Sequence, residues 1–209
     1  MVEGAISAGP ADTVDAPALA PHGVQVPEFD IVPRVGIVLG AIAMVLLIVA
    51  IAVNKLWPLE FLHVAGGAAW TIIDLFLGLV LGPIMGMMAV PARIEFMTRL
   101  MPKMVVIMPT VVTATLAAGW QLSTKLGTNL TAFPNHGWVV ASMIVVGVMA
   151  VIALGLNEPA NIAVLVELKK PRPNPAVIEK LTKRFMYSAG ILGAMQIATL
   201  VIMTKLRTG

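Results

Sequence analysis

Long apolar runs alternate with short polar segments along this chain. Five runs each offer about 20 predominantly apolar residues, the length that an α-helix needs to cross a hydrocarbon core of about 30 Å. Backbone polar groups inside a bilayer must be paired within the protein, and a helix pairs them within one segment. The runs lack the alternating pattern of barrel strands. We therefore predict transmembrane helices at 34–57, 59–90, 104–125, 138–158 and 185–205.

The composition also indicates a membrane protein. Of the 209 residues, 58% are hydrophobic and only 12% are charged, whereas charged residues make up about 25% of an ordinary soluble domain. We predict an all-α integral membrane protein in which helices 2–5 form an antiparallel bundle and helix 1 packs outside it. The transmembrane domain covers 34–205, and a short C-terminal tail follows at 206–209.

The first 33 residues form a separate segment that is rich in Ala, Pro and Gly. Its charged residues are all acidic: Glu3, Asp12, Asp15, Glu28 and Asp30. Such a segment buries too little apolar surface to offset the entropy of ordering it, and it lacks the basic start of a cleavable signal peptide. We predict a disordered acidic tail at 1–33.

Lys and Arg are distributed unevenly between the two sides of the predicted helices. Ten lie on the side that holds the tail, and four lie on the other side: Lys55, Lys125, Lys205 and Arg207. The positive-inside rule then puts the N-terminus in the cytoplasm and the C-terminus outside. We expect a multi-pass protein of the bacterial inner membrane, with the basic connection at 91–103 at the cytoplasmic headgroups. Its expected partners are lipid and other membrane subunits or further copies of the chain, not nucleic acid.

The second predicted helix carries a stripe of unusual residues. His63, Gly67, Trp70 and Asp74 follow at spacings of four, three and four, and at about 100° per residue they face one neighbour. Ionisable groups inside a membrane span cost on the order of 3 kcal/mol or more, and they rarely face lipid. This stripe is therefore the predicted functional region.

His63 lies about one turn inside its helix, where a neutral imidazole is a competent axial ligand for haem iron or a ligand for copper. Gly66 and Gly67 leave space for a flat macrocycle, and Trp70 packs on its edge. His136 is a second candidate metal ligand near the same face. The alternatives are that His63 bonds a carbonyl or a lipid headgroup, and that His136 is a loop residue.

Asp74 lies about 16 Å further along the helix axis than His63, so the two cannot share one metal ion. At mid-depth the acid is protonated, is paired with another helix, or belongs to a proton or ion route. Its candidate partners are Gln121, Gln196 and a threonine, because the spans show no Lys or Arg to pair with it.

Glycine recurs every fourth residue in the second helix, at Gly78, Gly82 and Gly86. This row lets another helix backbone approach closely, and Pro83 is expected to kink the helix. Asn174 before Pro175 predicts a helix that starts there and runs into the last span.

Methionine also recurs at helical spacing, at Met97, Met101, Met104 and Met108. Thioethers are soft ligands for monovalent copper, but methionine is also a common filler of apolar gaps. Packing is the preferred interpretation, because no His accompanies the series and the chain has no Cys.

The stretch 62–85, LHVAGGAAWTIIDLFLGLVLGPIM, resembles the opening helix of the CopD-like membrane families. These include the copper-resistance CopD domain and the HemJ type of protoporphyrinogen oxidase. The resemblance extends loosely over 59–205 and includes GWQL at 119–122. It implies that His63 is an iron ligand. The chain differs at Asp74, and it has Ser142 and Met143 where relatives carry a lysine.

Three functions follow as expectations. The first is binding of b-type haem or a metal near the outer face, with His63, Gly67 and Trp70 around the cofactor and His63 and His136 as metal ligands. If the protein is an enzyme, it is then a haem-dependent oxidoreductase. The alternatives are copper transport or resistance and a non-catalytic subunit of a larger membrane complex.

Overall fold

The structure, a computed structural model, describes residues 27–127 and 136–208. Every regular element in these residues is helical, and five helical segments are long and apolar enough to cross a membrane. This confirms the predicted fold class, and the last helix starts at Pro175 as expected. Most of the predicted acidic tail, 1–26, lies outside the described residues, so its disorder stays a prediction.

The five spans contain seven α-helices and two π-helical segments in the described part of the chain. The first span is α1 (Arg34–Val53), and the third is α4 (Val90–Lys125). The second contains α2 (Leu56–Leu75), π1 (Phe76–Leu81) and α3 (Gly82–Met87). The fourth contains α5 (His136–Ile152), π2 (Ala153–Asn157) and α6 (Glu158–Leu168), and the fifth is α7 (Pro175–Thr208).

Short turns join the first span to the second, the second to the third and the fourth to the fifth, so these neighbours are antiparallel and the bundle has two ends. One end carries the turns between the second and third spans and between the fourth and fifth, with Lys169, Lys170 and Arg172 in the latter turn. We call it the basic end. The opposite end, where α2 starts, is called the His63 end.

Several predicted boundaries are wrong: the first span ends at Val53 rather than at 57, and two other boundaries differ by more. The segment 91–103, expected as a connection at the headgroups, belongs to α4, which starts at Val90. An ion pair between Arg99 and Glu95, at 2.8 Å, links successive turns there and favours continuous helix. The fourth span also continues past its predicted end to Leu168.

Each π-helical segment ends just before a proline. The N–H at its end bonds to the carbonyl five residues back, from Gly82 to Leu77 and from Glu158 to Ala153. Pro83 and Pro159 come next, and each lacks the N–H that would continue the regular α-helical pattern. The irregularity expected at Pro83 therefore takes the form of a π-helical segment before it.

The first span packs on α4 outside the remaining bundle, as predicted. A Cβ atom added to Gly40 would lie 3.2 Å from Thr110 Oγ1, and one on Gly36 would lie 3.3 Å from Val106 Cγ2. Two glycines four residues apart thus let α1 approach α4 closely. The other faces of α1 expose large apolar side chains, as a helix in contact with lipid does.

The second span crosses α7 at an even closer contact. A Cβ atom on Gly78 would overlap the backbone of Gly190, at 2.7 Å from its nitrogen. A Cβ atom added to Gly193 would lie 2.7 Å from Leu75 Cδ2. The predicted role of Gly78 in helix packing is confirmed, whereas Gly86 has nothing within 4 Å of its added Cβ.

The last part of the predicted tail, at 27–33, contacts the basic end. Phe29 and Ile31 pack against the core, and Lys169 Nζ lies 5.4 Å from the centre of the Phe29 ring. Beside them, Glu167 accepts hydrogen bonds from Lys170 Nζ at 2.5 Å and from the Asn174 N–H at 3.1 Å.

We expect Gly78→Ala to destabilise the protein by about 1–3 kcal/mol, because the new methyl group meets the backbone of Gly190. Gly86→Ala is the matched control, since it adds the same methyl group to open space. Thermal unfolding and monodispersity in detergent measure the difference. Equal melting temperatures for the two variants would contradict the assigned crossing.

Candidate functional site

His63 bonds the neighbouring helix through its ring. His63 Nδ1 lies 2.9 Å from the carbonyl oxygen of Thr115 in α4. A carbonyl only accepts, so this bond puts the ring proton on Nδ1 and leaves the lone pair on Nε2. Gly119 permits the contact, because a Cβ atom there would lie 2.5 Å from Nδ1. The carbonyl-bonded alternative for His63 is therefore the observed one.

The two glycines beside His63 are also in contact with α4. A Cβ atom on Gly66 would lie 2.5 Å from Thr115 Oγ1, and one on Gly67 would lie 3.7 Å from Thr115 Cγ2. Thr115 thus takes the space that the sequence analysis assigned to a flat macrocycle. A haem does not fit between these two glycines and α4.

Trp70 and Asp74 are enclosed in the bundle, with exposed fractions of 3% and 0%. Gln196 in α7 donates from Nε2 to Asp74 Oδ2 at 2.9 Å. Among the candidate partners of Asp74, Gln121 instead donates to Asn54 Oδ1 at 3.2 Å near the His63 end. The stripe therefore meets two helices, because His63 contacts α4 and Asp74 contacts α7.

The pair between Asp74 and Gln196 leaves several polar atoms without a partner. A carboxylic acid and a primary amide can form two mutual hydrogen bonds, but only one is present here. Asp74 Oδ1, Gln196 Oε1 and Trp70 Nε1 are buried and make no hydrogen bond of standard geometry, although the Trp70 indole lies close enough to interact with the Asp74 carboxyl group. Buried polar groups normally have a hydrogen-bond partner. Where the protein provides none, an ordered water molecule commonly does.

A small cavity of about 10 Å³ lies next to Asp74. Its lining comes from the second, third, fourth and fifth spans: Asp74, Met108, Val112, Ala153, Leu154, Asn157, Glu158 and Phe185. Segment π1 begins two residues after Asp74, and π2 supplies three of the lining residues. π-Helical segments frequently occur at functional sites.

Glu158 and Asn157 are the residues that the sequence analysis missed at this site, having placed them at a membrane boundary. The fourth span continues to Leu168, so both lie inside it. Asn157 accepts a hydrogen bond from the Ser188 hydroxyl of α7. The sequence feature that could have identified them is the polar pair Asn-Glu, followed by Pro159, between two apolar stretches.

The other candidate metal ligands do not lie close to His63. His136 is exposed at the start of α5, and α5 does not pack along α2. No group of three or more His, Cys, Asp or Glu side chains able to hold a metal occurs in residues 27–127 and 136–208. The four methionines at helical spacing are all buried in the apolar core, which agrees with the packing interpretation.

Comparisons with protein-family models, with curated proteins and with solved structures find no significant match for this chain. The resemblance to CopD-like families therefore stays a prediction. The site has to be interpreted from its own geometry.

We expect Gln196→Leu to lower the free energy of unfolding by about 1–2 kcal/mol, because Asp74 loses the hydrogen bond from Gln196 inside the bundle. Gln121→Leu is the matched control, since that amide bonds Asn54 in an exposed position. Unfolding in mixed micelles measures both changes. A loss of equal size in the two variants would contradict a special role for the buried pair.

Proposed function

We propose that this multi-pass membrane protein binds and releases protons at Asp74 in the middle of the bilayer, as part of proton transfer or proton-coupled transport. The observation that carries the proposal is a fully enclosed carboxyl group whose neighbouring donors, the Gln196 amide and the Trp70 indole, are uncharged, with buried oxygen atoms that lack a hydrogen bond of standard geometry.

The charge environment supports this proposal. No ion pair with Asp74 exists among the described residues, and the lining of the adjacent cavity contains no Lys, Arg or His. An unpaired carboxylate at this depth costs several kcal/mol, so the resting group is the neutral acid. A transient carboxylate at Asp74 then requires water or a second polar group nearby, and the cavity has room for one water molecule.

The depth of Asp74 fits a proton site better than a surface contact. It lies about 20 Å from the basic end of its span and about 27 Å from the His63 end, at 1.5 Å per residue. By the positive-inside rule the basic end faces the cytoplasm, which also puts the N-terminus there. The bacterial inner membrane is the proposed location.

A metal centre at His63 is the second candidate function. The hydrogen bond to the Thr115 carbonyl favours it, because metal-ligating histidines commonly donate their other ring N–H to such an acceptor. His63 Nε2 would be the ligand atom for haem iron or copper, as the CopD-like resemblance implies. Further ligands would have to come from a second copy of the chain or from another subunit.

The protein could serve as a subunit of a larger membrane complex with either function, proton binding at Asp74 or metal binding at His63. The glycine row contributes to packing within this chain at Gly78, whereas Gly86 faces open space. Contact with another membrane subunit would therefore use faces other than the crossing between the second span and α7.

Asp74→Asn should abolish proton uptake by proteoliposomes, since an amide cannot take up and release a proton at this position. Uptake is driven by a potassium diffusion potential and followed with an internal pH dye. Glu60→Gln, at an exposed position of the same α2 helix, is the control and should retain the wild-type rate. Equal uptake by Asp74→Asn and the wild type would overturn the proposed function.

If His63 ligates a metal centre, the protein purified from membranes carries a Soret band or bound copper, and His63→Ala loses it. His136→Ala is the control that retains the signal, because that side chain is exposed and α5 does not pack along α2. Absorbance spectra and metal analysis on the same sample measure both. Absence of haem and copper in the wild type would eliminate this second candidate.

A further inference from the structure

We propose that Glu158 passes protons to and from Asp74 through one water molecule held between them, and that in the conformation described here this relay opens to water toward the basic end. The inference rests on the proposed protonation of Asp74 and adds the second proton-carrying group and the side of access.

The cavity has the size and the polar lining of a single water site. About 10 Å³ is near the minimum for one water molecule, which also needs two to four polar partners. Asp74 supplies the unpartnered Oδ1. Glu158 and Asn157 supply a carboxyl group and an amide on the facing fourth span.

The same lining argues against a bound metal ion. Calcium takes six to eight oxygen ligands, and magnesium takes six. The cavity has two carboxyl groups and one amide, and its remaining lining is apolar. No group of three or more His, Cys, Asp or Glu side chains able to hold a metal occurs anywhere in the described ranges. Two carboxyl groups that share one site instead favour a shared proton.

Glu158 lies on the path between Asp74 and the basic end. Ten residues separate it from the end of α6, or about 15 Å, whereas Asp74 is about 20 Å from the end of α3. Glu158 is half-buried, but Asp74 is fully enclosed. A proton from the basic end therefore reaches Glu158 first.

Buried polar atoms without a hydrogen-bond partner also occur on this side. In the described residues, three such atoms cluster at Asp74, and the other three are Arg93 Nε, Asn161 Oδ1 and Thr182 Oγ1. Arg93, Asn161 and Thr182 all belong to the half of the bundle nearer the basic end. Since water commonly satisfies such groups, their distribution points to hydration from this end.

The transfer step is balanced within these groups. When Asp74 is ionised, the carboxyl group of Glu158 gives its O–H proton to the water oxygen, while the water gives one of its own protons to Asp74 Oδ1. Glu158 ends as a carboxylate and Asp74 as a neutral acid, and the water keeps its composition. Glu158 then takes a proton from the basic end.

Exchange of the Asp74 proton for deuterium tests the relay, with infrared spectroscopy of the protonated carboxyl band as the readout. Asp74→Asn identifies the band by its loss. Glu158→Gln should keep the band and slow its exchange by roughly 100-fold, the typical contribution of a positioned acid or base. Glu158→Asp, which keeps a carboxyl group, should restore much of the rate, and Glu60→Gln should not change it.

The outcomes separate this inference from the proposed function. If Glu158→Gln exchanges as fast as the wild type, while Asp74→Asn still abolishes proton uptake, the relay is wrong and the proposed function stands. If Asp74→Asn leaves uptake intact, the proposed function fails first. Slow exchange in both Glu158→Gln and Glu158→Asp would show a structural role for Glu158 and overturn the relay.

Single cysteines test the side of access, because the chain contains no Cys. Thr182 and Ser142 are buried to similar extents, with exposed fractions of 4% and 6%, but Thr182 lies toward the basic end and Ser142 toward the His63 end. A water-soluble thiol reagent should modify Thr182→Cys and leave Ser142→Cys unmodified. The reverse pattern, or equal modification, would overturn access from the basic end in this conformation.

Discussion

The close approach of the second span to α7 is the contact on which the polar site depends. Lipid gives little hydrophobic drive for helices to associate, so membrane helices rely on close backbone packing and hydrogen bonds. Gly78 and Gly190 provide that packing. Asp74 lies about one turn away from this crossing on the second span, and Gln196 reaches it from α7. A larger side chain at the crossing would separate the carboxyl group from its donor.

Two prolines interrupt the two spans that supply the carboxyl groups of the cavity. Each follows a π-helical segment, because a proline cannot supply the next backbone N–H and its ring crowds the preceding turn. Pro83 places π1 next to Asp74, and Pro159 places π2 next to Glu158. The cavity is therefore lined by residues of π2 and by Asp74, which lies two residues before π1.

The apolar pattern predicted the five spans and the fold class, because length and hydropathy alone determine whether a helix can cross a bilayer. Boundaries were less predictable, since Arg93 and Glu95 favour a headgroup position but also fit a helix that continues past the membrane surface. The contact of Gly36 with α4 was missed, although its four-residue spacing to Gly40 is typical of a close helix contact. Glu158 was missed because the distance between spans is not encoded in local sequence.

His63 and Asp74 share one helix face but differ in how completely their polar atoms are satisfied. The His63 bond to Thr115 leaves one lone pair in a half-buried position, as an ordinary helix contact also does. Asp74 leaves an oxygen atom unpaired at a site with no exposure to solvent. A purely structural acid and amide pair gains from making both mutual bonds, so the single bond to Gln196 leaves a position for water and a proton. This difference makes Asp74 the stronger candidate for chemistry.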